Sequence, residues 1–406
     1  MLAPQARPSF LKAALTAAGI ASLGTLPLQL LSNQSVLIRE DLHFGEAAQG
    51  LLVSAAFGIG ALVSVAITRF GEVYGRRPLT LLAAACTLSC ALGIALLAHH
   101  YLVLLLFVLI GGVGQAGLTT AANFSLSATV APGRQGLGFG VKQSAPPAAA
   151  LIAGLAVPAV GLVLGWRWTY LFLGLAAVVL LISATRIPRV PGTPATPSSP
   201  IDDSLAPVPE TAPRPALLLT AAAMLTANGS AMALIAFLPQ WAHLSGMPTA
   251  TAGLFVAACS ALAIAGRLFV GAAADRRNGR NLPVVTWQMA AGAVGLALLA
   301  LGNVPVVVAG GLVAFALGWS WPGLLLFAVV RLGRDRPNSA AAYVQSGAFA
   351  GGALGPLVFG LIAGSAGYQA AWFTMAAGMA LGAGLLMAAR RLFIADLKLR
   401  PVPRPA

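Results

Sequence analysis

Lys142 sits in GFGVKQSAPPAAALIAG, an apolar stretch with no acidic residue. An isolated lysine at a helix centre costs about 2.5–3.5 kcal/mol on insertion scales. A retained one therefore calls for a role. It follows Arg134 by eight residues, roughly 12 Å along a helix. That depth leaves two readings open: a lysine that meets a substrate, or one that snorkels to the nearer membrane surface. Its neighbours Gln143-Ser144 return as Gln345-Ser346, and Val344 then stands where Lys142 stood. The two glutamines form a candidate neutral donor/acceptor pair flanking one cavity. Arg267 lies eight residues before Asp275, so it either pairs with that loop or faces a cavity. Gln115, Asn123, Asn228 and Trp319 complete the candidate substrate-binding set. With Gln29, Asn33, Ser320 and Trp321 they put polar groups into the first, fourth, seventh and tenth apolar segments. The sixth and twelfth carry almost none.

Other chemistries find little support. Gly112–Gly117 fits GxGxxG, but it lies inside an apolar segment with no preceding strand and no acid about 20 residues on. GLGFGVK lacks the Gly-Lys-Ser/Thr of a P-loop. Cys86 and Cys90 are one helical turn apart with no His or carboxylate nearby, so packing is expected rather than a metal. No Ser/His/Asp cluster appears. The expectation is a non-enzyme without cofactor or metal.

These residues need elements to hold them. The chain is 58% hydrophobic and 8% charged, with a mean hydropathy of +0.87. Ordinary soluble domains are roughly 25% charged, so the solvent for this chain is a lipid bilayer. Twelve spans are expected, near Ala13–Ile38, Ala47–Ile67, Leu79–Leu97, Tyr101–Leu126, Leu137–Leu164, Trp168–Ala184, Ala216–Leu238, Ala250–Ala272, Pro283–Gly302, Val304–Val330, Ala340–Gly364 and Ala371–Ala389. With a cytoplasmic N-terminus, only Arg39 and Arg167 of the 24 Lys+Arg fall outside. That asymmetry follows the positive-inside rule and puts both termini in the cytoplasm. The net charge of +14 is thereby a record of topology and not a nucleic-acid footprint. The apolar run after Arg7 and Lys12 is too long for a typical signal core and is read as the first span.

A repeat organises the spans. The offset of 202 that links Gln143 to Gln345 also links Arg134 to Arg336 and Gly165 to Gly367; Glu72 and Asp275 are 203 apart. Residues 1–185 and 216–390 are thus expected to be two six-helix bundles. A Pro- and Ser-rich linker (186–215), which cannot bury a core, separates them, and a basic tail (391–406) follows.

The loop TRFGEVYGRRP (Thr68–Pro78) and its later counterpart GRLFVGAAADRRNGRN (Gly266–Asn281) resemble the Gly-x-x-x-Asp-Arg-x-Gly-Arg-Arg loop of the major facilitator superfamily. Glu72 takes the place of the family's Asp, followed by Gly75, Arg76 and Arg77. Thr68 and Val73 depart from the pattern. In the second copy Gly271, Asp275 and Arg276 match, and Gly279-Arg280 is displaced by one. The resemblance implies the superfamily's all-α fold of two pseudo-symmetric bundles. It also implies that Glu72, Arg76, Arg77, Asp275 and Arg276 gate the cytoplasmic side, and the repeat pair Arg134 and Arg336 is expected to join them; the alternative is that these charges only set topology. Gly351, Gly355 and Pro356 resemble the Gly/Pro-rich motif of family exporters, and plain helix packing explains them equally. The family's fourth-segment Arg is missing, because there is none between Arg77 and Arg134.

The expected function is secondary transport across a bacterial inner membrane by a monomer, through rocker-switch alternating access. Lys142 and Arg267 point to a small organic anion or carboxylate-bearing compound. On that reading Lys142→Gln abolishes transport. The potential drives anion exit by about 2.3 kcal/mol per charge at 100 mV, so uptake would need a coupling cation such as a proton. Glu40, Asp41 and Glu46, at the outer end, are the remaining carriers. The alternative is a multidrug or hydrophobic-compound exporter working by proton antiport, favoured by Trp319 and Trp321.

Overall fold

The computed structural model describes residues 10–127, 140–188, 211–276 and 281–400. Among these there is no strand. Apolar stretches become helices because lipid offers the backbone no partner, so each N–H and C=O must be met within its own segment. The spans are Phe10–Asn33, Glu46–Tyr74, Arg76–Leu97, Tyr101–Ser127, Gly140–Gly161, Trp166–Thr185, Arg214–Leu244, Thr249–Arg276, Leu282–Leu299 and Val304–Leu332, followed by Pro337–Leu399. The last is 63 residues long, roughly 95 Å of helix against about 30 Å of hydrocarbon. Gly367 breaks it, at φ 87° and ψ 164°, so it is two spans and the total is twelve.

The breaks fall where glycine alone is unstrained. Gly165 (φ 100°, ψ 151°) opens the sixth span and Gly367 opens the twelfth. They are the pair linked by the repeat offset, so the duplication extends to backbone conformation. Gly75 (φ 87°, ψ 173°) does the same between the second and third spans.

Several boundaries differ from expectation. The first helix stops at Asn33, and a short helix, Ser35–Leu42, follows. The twelfth runs on to Leu399. Its polar extension is held by Asp396, which pairs with Arg334 at 2.6 Å. Most of the linker (189–210), the loop carrying Arg134 with the expected start of the fifth span (128–139), and the tail from 401 lie outside the described residues.

The membrane end bearing Glu46 and the end bearing Glu72 are called here the Glu46 and Glu72 faces. The two bundles meet along the second and eleventh spans and along the fifth and eighth. Small residues make the approach close, as between membrane helices generally. Gly50 faces the Pro356 carbonyl, Gly154 faces Gly253, and a Cβ on Gly140 would lie 2.9 Å from the Arg267 carbonyl oxygen. Gly355 of the exporter-like motif packs on Gly229 within the second bundle. That motif therefore serves packing in both directions.

The bundles are fastened at the Glu46 face. Arg39 pairs with Glu46 at 2.7 Å and donates to the Tyr368 hydroxyl of the other bundle at 3.3 Å. Tyr368 stacks on Trp241, with ring centroids 5.2 Å apart. The Gln49 amide donates to the Ala236 carbonyl at 2.7 Å, and the Leu357 amide donates to the Ser54 hydroxyl at 3.0 Å.

Candidate functional site: a cavity between the bundles

Two helix interruptions build the site. In the fifth span Pro147 has no N–H to offer the Gln143 carbonyl one turn earlier. The ladder resumes with Ala148 N to Ser144 O at 2.9 Å, so the Gln143 carbonyl is left free. In the tenth span a π-helical turn (Ala314–Gly318) precedes a gap, and the helix restarts at Pro322. Pro322 cannot serve Gly318, whose carbonyl instead accepts from the Trp321 indole at 2.8 Å. The Trp319 carbonyl is also outside the ladder.

Arg267 of the eighth span takes both free carbonyls. Its Nε donates to Trp319 O at 3.1 Å, Nη2 donates to the same oxygen, and Nη1 donates across the bundle interface to Gln143 O. The guanidinium carbon lies 4.7 Å from the centre of the Trp319 ring, within cation–π range. Arg267 is 5% exposed. Its partners among the described residues are all neutral, so within them the positive charge is solvated by dipoles and not neutralised.

This guanidinium lies on the wall of a cavity of about 140 Å³ between the bundles. No described Asp or Glu lines it. Of the candidate residues, the structure brings Gln115, Gln143, Asn228, Arg267, Trp319 and Gln345 together here. Asn228 is committed to packing, its amide donating to Ala348 O at 2.7 Å.

Lys142 and Asn123 are not on this wall. Lys142 is half-buried and Asn123 exposed. The reason is helical periodicity: one residue turns a side chain by about 100°, so Lys142 cannot share the direction of its neighbour Gln143. The lining residues outside the candidate set include Gln29, Phe57 and Phe349. Gln29 was visible as a polar residue in an apolar segment. Nothing in the sequence distinguishes Phe57 or Phe349 from core phenylalanines.

The expected gating residues are at the Glu72 face. Glu72 is exposed and forms no ion pair with a described residue. Arg76 and Arg77 are half-buried, and Arg76 Nε is buried without a partner. Arg336 is exposed just ahead of the eleventh span. Asp275 and Arg276 end the eighth helix, but their side chains, like Arg134, fall outside what is described.

The sequence profile of the Major Facilitator Superfamily matches residues 13–319, more than half of the chain. The chain belongs to the major facilitator superfamily. Its twelve-span fold agrees with solved structures of a bacterial homolog to the human lysosomal transporter Spinster. One is inward-facing and unoccupied (TM-score 0.70, 15% identity) and one inward-facing and occupied (TM-score 0.70, 16% identity). Each alignment covers 99% of this chain and 100% of the other. At that identity the likeness concerns the fold alone. No curated protein sequence matches this superfamily member significantly. Membership and fold make it a multi-pass secondary transporter that works by alternating access and binds a small molecule within the membrane; the superfamily is one of transporters, not enzymes.

Proposed function

We propose that this transporter carries a small organic anion, with Arg267 as its anchor. One observation carries the reading: a buried guanidinium on the cavity wall, held by two neutral carbonyls and facing no described carboxylate. Burying a charge without a counter-charge is costly, and an anionic cargo supplies the missing charge. Arg suits a carboxylate because its planar fork matches two oxygens at once. The cavity volume of about 140 Å³ is well below the ~300–1,000 Å³ of drug-sized pockets, which favours a small solute.

The same contacts supply a mechanism. The bond from Arg267 to Gln143 O joins the bundles. An anion that takes the guanidinium releases that carbonyl and with it one fastening of the fifth span to the eighth. Cargo binding is thereby tied to relative motion of the bundles. Charge placement supports a cytoplasmic Glu72 face and cytoplasmic termini; a bacterial inner membrane and a monomer complete the proposal. With the Glu46 face fastened, the conformation is closed to the outside. Glu72, Arg76, Arg77 and Arg336 would then engage when the cytoplasmic side closes. Phe57, Phe349 and Trp319 on the wall favour a second reading, efflux of a hydrophobic compound.

Binding to the purified protein separates the two. Small carboxylates should raise its unfolding temperature, and Arg267→Gln should erase that rise while the protein remains monodisperse. Stabilisation by tetraphenylphosphonium with none by any carboxylate would select the hydrophobic-compound reading.

A further inference from the structure

Four glutamines line the cavity: Gln29, Gln115 and Gln143 on the first bundle and Gln345 on the second. None of their amides makes a hydrogen bond within the described structure. Gln29 is 5% exposed, and its Oε1 is fully buried with no partner. Other polar groups on the same wall are committed. Thr25 Oγ1 donates to Ser22 O at 3.1 Å, and the Asn228 amide is bonded as described above. The free amides are therefore not a general property of the cavity. A buried polar group without a partner costs free energy, so the buried Gln29 amide must be met by what occupies the site, and the half-buried amides of Gln115, Gln143 and Gln345 are open to the same occupant.

An amide presents one acceptor and two donors. The group that satisfies it in either orientation is a hydroxyl, which both donates and accepts. An ammonium only donates, and on this wall it would face the charge of Arg267 with no described carboxylate to receive it. A bare alkyl carboxylate only accepts, so it would satisfy Arg267 and leave the buried Gln29 Oε1, itself an acceptor, unmet. We infer that the cargo is a hydroxylated organic acid: one carboxylate on Arg267, and hydroxyl groups read by Gln29, Gln115, Gln143 and Gln345.

This rests on the small-anion reading and deepens it. The test uses two series of acids matched in carbon number: propionate, lactate and glycerate, and hexanoate and gluconate. Each is titrated into the purified full-length transporter by calorimetry. The most hydroxylated acid of at least one series should bind about tenfold or more tighter than its unhydroxylated partner, since a site built to bond a hydroxyl rejects the analogue that lacks it. Gln115→Met and Gln345→Met keep length and remove the amide. Each should pull that ratio toward one in a protein whose unfolding midpoint is unchanged.

Equal or tighter binding of propionate and hexanoate overturns the inference and leaves the small-anion reading standing. A ratio that survives both methionine variants overturns the role of the amides. No binding of any of the acids, with or without binding of tetraphenylphosphonium, overturns the small-anion reading as well.

Discussion

Two cations compete for attention in this chain, and their surroundings rank them. Lys142 stands out in the sequence because its repeat partner is Val344, yet it is half-buried and off the cavity wall. Arg267 is buried on that wall and bonded to backbone carbonyls of both bundles. Lys142→Gln should therefore leave transport in proteoliposomes within about twofold of the parent, against the expectation drawn from sequence. Arg267→Lys keeps the charge but loses the planar fork. It should weaken cargo binding about tenfold and not abolish it, as read from the concentration that half-saturates uptake. Loss of transport in Lys142→Gln with a normal response in Arg267→Lys would reverse the ranking. The candidate site was legible as a list of polar residues in apolar segments. Which of them share a wall was not, because facing depends on helix rotation and on breaks that a list cannot show.

At the scale of the helix, prolines do the positioning. Pro147 and Pro322 withhold amides, and the carbonyls freed around them hold or neighbour Arg267. Restoring an amide with Pro147→Ala gives the Gln143 carbonyl a partner in its own helix. The cross-bundle bond to Arg267 should weaken, and the fifth and eighth spans should part more readily. A cysteine at Ala257, which is buried against Gly154 at this contact, measures this on a cysteine-free background, and its labelling by a maleimide should speed up in the alanine variant. The turn glycines act at the same scale. Gly75→Ala forces a side chain into φ 87°, ψ 173°, a region essentially reserved for glycine and worth about 1–3 kcal/mol of strain. The unfolding midpoint of that variant should drop, whereas Gly19→Ala, where an added Cβ meets nothing within 4 Å, should not lower it. Helix placement was legible because hydropathy and backbone satisfaction act locally. The stop at Asn33 and the run to Leu399 were not, since the second depends on a pairing between Asp396 and Arg334, 62 residues apart.

For the whole molecule, the fastening at the Glu46 face decides which side the cavity opens to. Glu46→Gln keeps the shape of the side chain but removes the charge that steadies Arg39, and with it the hold on Tyr368. The bundles should separate there more often. A cysteine at Ala236, fully buried in the described state, reports the change: a membrane-impermeant maleimide should label Ala236→Cys several-fold faster when Glu46→Gln is added. Equal labelling would show that the Trp241–Tyr368 stack and the glycine contacts hold the face shut by themselves.

The sequence by itself determined the solvent, the number of spans and the duplication. Each follows from composition, hydrophobic length and self-similarity, and these properties do not depend on distant contacts. It also determined that charges within the spans would be few and worth examining. Only the tertiary structure decided that Arg267, not Lys142, stands on the wall between the bundles, and that four glutamine amides there have no hydrogen-bond partner among the described residues. A side chain's partners are set by helices brought together from opposite halves of the chain, and a one-dimensional pattern carries no record of that rotation.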